Sequence, residues 1–157
     1  MAAVSDTRQI PLFAVRRFLP QPYEAGSLYE ALDRYGDLII RRQDWPEVSH
    51  AEGGRWAYCP VMMSKLVVMQ RAGGWTDRET VHRGTYDLSV KACLGLGVEQ
   101  RGPSQSKLCR HRQQMQSRGL HEEYHRRFVG LVKTLELVDR QEAVLVDSVP
   151  IDGAGQV

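Results

Sequence analysis

Residues 60–74 read PVMMSKLVVMQRAGG. From Val61 to Arg71 the stretch is apolar on nearly every side of a helix, with Met62, Leu66, Val68 and Met69 spread around it. A helix of that kind belongs in the centre of a protein, because no single face of it can be given to water. Pro60 suits its first turn, where a missing N–H costs nothing, and Gly73 and Gly74 stop it. The remaining chain must then supply elements that wrap this one.

Those elements are visible as capped, periodic segments. Residues 1–24 hold Pro11, Pro20 and Pro22 and read as an irregular arm. Ser27 and Glu30 form an S-x-x-E capping box that opens a helix over 27–42. Leu28, Leu32, Tyr35 and Ile39 make its apolar stripe, and Arg41 and Arg42 suit its C-terminal end. Residues 43–59, with Pro46, Gly53 and Gly54, read as a loop. Thr76 and Glu79 form a second capping box for a short helix to about Arg83. A further short helix is expected within 86–97, closed by glycine. Gly102 and Pro103 break the chain, and Ser104 caps a helix over 105–117. The last helix spans 121–138, with Tyr124, Phe128, Leu131, Leu135 and Val138 along one face. After a turn at 139–141, residues 143–148 form a continuous apolar run that predicts a strand buried on both faces. The expected fold is therefore mainly α, a multi-helix bundle ending in one β-strand that has no partner in the sequence.

A length of 157 residues fits one domain, or one domain and a piece of another. A net charge of +2 permits nucleic-acid binding without arguing for it, so the placement of the charges has to decide. Cys59, Cys93 and Cys109 are odd in number and widely spaced, which fits neither a disulfide framework nor a zinc knuckle. They read as reduced thiols. The N-terminal MAAVSDTRQI lacks the apolar core of a signal peptide, and no run approaches the ~20 apolar residues of a membrane span. A cytoplasmic protein without a membrane partner is expected.

Four stretches carry candidate chemistry. His121 to His125 spell HEEYH, a match to the HExxH zinc motif with Glu122 as base. Catalytic zinc wants a third protein ligand and no later histidine follows, so His121 and His125 read as surface residues. The helix SKLCRHRQQMQSR, 106–118, carries Lys107, Arg110, His111, Arg112 and Arg118, with Leu108 and Met115 marking its buried side. Lys107 and Arg110 share a face that suits adjacent phosphates, and Gln113 and Gln114 suit base edges in a major groove. With two short capped helices before it, this segment has the outline of a helix-turn-helix-like module. GLGVEQRG, 95–102, has no G-K-[ST] and reads as a turn rather than a phosphate loop. Last, VLVDSVPIDG places Asp147 at the tip of the terminal strand, a position from which a carboxylate is held rigidly enough to ligate a metal.

The order of these pieces resembles the N-terminal part of bacterial insertion-sequence transposases of the DDE type. The resemblance runs from the apolar helix at residue 60 through TDRET at 76–80, LGLG at 94–97 and PSQSKLCRHR at 103–112. It continues through the amphipathic GLHEEYHRRFVGLVKTLELV to VDSV at 146–149. It implies that Asp147 is the first catalytic and metal-binding Asp of a DDE triad. In that family this Asp, a second Asp and a Glu bind two Mg²⁺ ions on a fold similar to RNase H. The metals activate a water or a DNA 3′-hydroxyl and stabilise the leaving oxygen. Val149 stands where the family usually has Thr.

The second Asp and the Glu have no counterpart in these residues, and Asp152 lies too close to Asp147 to replace them. The resemblance thus implies three parts: an arm over 1–24, a helical transposase N-terminal domain over 25–139, and over 140–157 the first strand of a truncated RNase H-like α/β domain. Such a chain is catalytically incomplete alone. Its expected partner is DNA, the terminal inverted repeats of a mobile element, with a second copy or a full-length transposase as protein partners. Lys107, Arg110 and Arg112 are the leading candidates for phosphate contact, followed by Arg78, Arg83, Arg126 and Arg127. A free-standing helical DNA-binding or transposase-regulating protein is the alternative.

Overall fold

The computed structural model describes residues 14–45 and 58–134. Among them it has seven α-helices and no strand. These are α1 (Val15–Phe18), α2 (Leu28–Ile39), α3 (Pro60–Gly73), α4 (Asp77–Tyr86), α5 (Leu88–Leu94), α6 (Gln105–Ser117) and α7 (Leu120–Thr134). None is long and apolar enough to cross a membrane. The expected turn at 139–141, the strand 143–148 and Asp147 lie outside the described residues, as does the predicted end of the last helix.

Helix α3 is the axle. Every residue from Pro60 to Val67 is buried, and Leu66 and Met69 are fully enclosed. It packs against α2, α4, α5 and α6, while α7 closes over α2 and α6. Gly74 ends it in a left-handed conformation, with φ +63°, and Trp75 N–H donates back to Gln70 O at 3.0 Å. That geometry takes glycine without the steric cost a Cβ would add.

The helix starts are fixed by side chains. Thr76 and Glu79 make the full reciprocal box, with Glu79 N–H donating to Thr76 Oγ1 and Thr76 N–H to Glu79 Oε2. At α2, Ser27 Oγ accepts from Glu30 N–H, but the Glu30 carboxylate reaches one residue further back, to Gly26 N–H. Asp87 caps α5 by accepting from the N–H groups of Ser89 and Val90. Ser104 stands at the N-cap of α6 without a side-chain capping bond.

Three boundaries differ from the sequence reading. The helix expected to reach residue 42 stops at Ile39, and Ile40 turns extended to bury its side chain. A 3₁₀ turn follows over Arg42–Asp44 and carries Trp45, nearly fully buried, into the core from what reads as a loop. Within the expected arm, Val15–Phe18 is helical, and Ala14 makes an antiparallel bridge to Gly97. On α7, Phe128 of the predicted apolar face is 51% exposed, whereas Leu120 and Tyr124 are buried.

The start of α6 is set by a contact between backbones. A Cβ on Gly102 would sit 2.7 Å from the carbonyl carbon of Gly84 in α4. The missing side chain of Gly102 therefore allows the loop before α6 to lie directly on α4.

Candidate nucleic-acid interface

Helix α6 has two chemically distinct sides. Leu108, His111 and Met115 are buried against the body. Ser106, Lys107, Arg110, Gln113 and Gln114 are exposed. No Asp or Glu occurs from Gln100 to His121. Lys107 and Arg110 therefore stand on an outward face with no carboxylate of its own, which is the electrostatic character that phosphate contact requires.

The other sequence-selected cations are placed differently. Arg112 points to the seam between α6, α3 and α4. Its guanidinium donates to both Asp77 carboxylate oxygens, at 2.7 Å for Oδ2, and to Gln70 Oε1 at 3.0 Å. Gln70 in turn donates to Asp77 Oδ1 at 2.7 Å, closing a ring over three helices. The hydrogen bonds from Arg112, then that from Gln70, hold the Asp77 carboxyl below its ordinary range.

Arg127 plays the matching part on α7. It donates to both Asp44 oxygens, at 2.7 and 2.9 Å, to Ile39 O at 2.8 Å and to Glu123 at 2.8 Å. Burial alone would raise the Asp44 carboxyl, but the hydrogen bonds from Arg127 and from Arg41 N–H bring it below the usual value. Arg126 is exposed and pairs with Glu123. Arg83 lies over the Trp75 ring and 3.6 Å from Asp87, and Arg78 is exposed beside the Asp77 anchor.

A signal for these inward arginines was present in the spacing. Arg112 stands four residues after Leu108 and three before Met115, which is one helix face. Arg127 stands seven after Leu120 and three after Tyr124, again on the buried side. An arginine in the apolar register turns toward the protein, whereas Arg110 and Arg126 lie off it.

Behind α6 sits a buried polar cluster that the sequence reading does not anticipate. His111 stacks on Trp45 with ring centroids 4.6 Å apart, and its Nε2 lies 3.0 Å from Ser64 Oγ. Trp45 Nε1–H donates to Tyr124 OH at 3.1 Å. Burial, with a smaller push from His121, lowers the His111 pKa to about 4. His111 is therefore neutral near pH 7 and adds nothing to the positive charge of the helix.

His121, Glu122 and His125 are exposed on the first turns of α7. Among the described residues no group of three His, Cys, Asp or Glu side chains is placed to hold a metal ion. The HExxH match thus has no third ligand there.

A protein-family model described as Transposase domain (DUF772) matches residues 19–114. No curated protein and no solved structure matches the chain.

Proposed function

The chain belongs to the transposase-domain family DUF772, and on that premise we propose that it is the DNA-binding N-terminal part of a DDE-type insertion-sequence transposase. The observation that supports DNA as the ligand is the outward face of α6, with Lys107 and Arg110 exposed and no acidic residue between Gln100 and His121. Two cations one turn apart match the spacing of neighbouring backbone phosphates, and Gln113 and Gln114 are exposed on the same helix for contact with bases. Terminal repeats of the element are the DNA this reading assigns. In it, Arg112 and Arg127 hold α6 and α7 in place, while Lys107, Arg110 and the exposed Arg78 meet phosphate.

The catalytic part of the proposal rests on Asp147 as the first carboxylate of the triad. Two Mg²⁺ ions need more oxygen ligands than one carboxylate provides, and the described residues offer no further cluster. The donor set among the described residues does not complete the metal pair, so on this reading strand cutting by this chain alone is not expected.

The test is binding of duplex terminal-repeat DNA as a function of salt. Lys107→Ala and Arg110→Ala should each weaken binding and reduce the slope of log affinity against log salt by about 0.9, one phosphate contact apiece. Unchanged binding in both variants would remove α6 from the interface. In the same preparation, robust Mg²⁺-dependent strand cutting by the 157-residue chain would overturn the assignment of an incomplete triad.

A further inference from the structure

We propose that Tyr58 builds a two-armed clamp for the DNA backbone at the start of α6, with Arg101 and Lys107 as the arms. The inference rests on the reading that α6 faces DNA, and it adds a contact, Arg101, and a positioning residue, Tyr58, to it.

Tyr58 lies just before α3, yet it touches both arms. Its hydroxyl reaches Arg101 O at 3.2 Å and Gly102 O at 3.1 Å, so one O–H is shared between two consecutive carbonyls. The Lys107 ammonium sits over its ring, 4.6 Å from the centroid. One side chain thereby ties the loop before α6 to the first turn of α6. The loop is held from its other side as well. Gly102 rests on the Gly84 backbone, and Gly102 N–H donates to Thr85 Oγ1 at 3.3 Å.

Backbone held on two sides at residue 102 fixes where the Arg101 side chain leaves the protein, and that side chain is exposed. Lys107 is exposed too, and no carboxylate among the described residues pairs with either cation. A lysine resting on an aromatic face keeps its charge available to an anion while its stem samples fewer conformers. Ordering that is already in place is ordering the complex does not have to supply. Phosphodiester oxygens of duplex DNA are the ligand this chemistry selects. A clamp made of an arginine and a lysine without a base-reading amide should grip the backbone whatever the sequence.

The experiment uses the full chain and a mixed-sequence duplex oligonucleotide, with fluorescence anisotropy measured over a range of salt. Arg101→Ala and Lys107→Ala should each lower the salt slope by about 0.9. Tyr58→Leu should lower it by nearly the sum of the two, although it removes no charge. Tyr58→Phe keeps the ring under Lys107 and loses the loop tether, so it should lose only the share of Arg101. A wild-type slope in Tyr58→Leu, with Lys107→Ala still impaired, would overturn the clamp and leave the α6 reading standing. Wild-type slopes in both Lys107→Ala and Arg110→Ala would overturn the two together. Should Tyr58→Leu lose its helical circular dichroism, Tyr58→Phe decides: a slope lowered by one contact supports the clamp, and an unchanged slope ends it.

Discussion

Two arginine seams hold the outer helices to the body, and they differ in how far water reaches them. At the α7 seam the Arg127 and Asp44 side chains are 17% and 10% exposed. At the α6 seam the Arg112 and Asp77 side chains are each 25% exposed. The first seam also adjoins the Trp45–Tyr124 bond and the Trp45–His111 stack, whereas the second is a ring of polar groups with Gln70. Similar pairings therefore carry different penalties when broken, because the charge left behind is stranded in one place and partly rehydrated in the other.

The largest expected effect is at the less exposed seam. Arg127→Ala leaves Asp44 without its main partner and should cost about 3–5 kcal/mol of unfolding free energy, read by urea denaturation. A loss below ~1 kcal/mol would mean that water reaches Asp44 once the arginine is gone, and the contrast between seams would collapse.

Acid should act on the same region next. His111 is held neutral in the folded protein, with its pKa pushed down to about 4, while the unfolded chain takes up a proton near 6.5. The unfolded state thus binds more protons in that window, so stability is complete above about pH 6.5 and falls as the pH drops toward 4. The total loss is on the order of 3 kcal/mol. Denaturant midpoints between pH 7 and 4 would show it, and His111→Asn should flatten that part of the profile. An equal slope in the variant would place the acid sensitivity elsewhere.

The smallest of the three belongs to the wetter seam. Arg112→Ala should cost about 1–2 kcal/mol, since Gln70 still donates to Asp77 and water can reach the freed oxygen. A loss as large as that of Arg127→Ala would show that exposure does not rank these pairs.

Much of the scaffold was readable in advance, for reasons that are local. The apolar surround of α3, the Thr76–Glu79 box and the Gly73–Gly74 stop all act within a turn or two of chain, and each appears where its chemistry places it. The transposase kinship also followed from the order of such pieces, and the family match covers residues 19–114. What stayed hidden is long-range. Trp45 sits in a segment whose glycines and prolines read as loop, and its partner Tyr124 is 79 residues away. Arg112 and Arg127 look like neighbours of Arg110 and Arg126 in a basic string, and the aspartates that tie them across the fold stand 35 and 83 residues back. Only the apolar register of the helix distinguishes them, and a list of charges does not record register. Tyr58, beside a glycine-rich stretch, gave no sign that it would meet Arg101 and Lys107.

The 79-residue separation of Trp45 from Tyr124 matters while the protein is being made. A ribosome adds on the order of 5–20 residues per second, so the emerging indole waits roughly 4–16 seconds for the helix that covers it. Through that interval the nascent chain displays an aromatic ring and an unpaired Asp44 to the cell. Uncovered apolar surface of that kind is what chaperones recognise, and slowing translation between the two would lengthen that exposure.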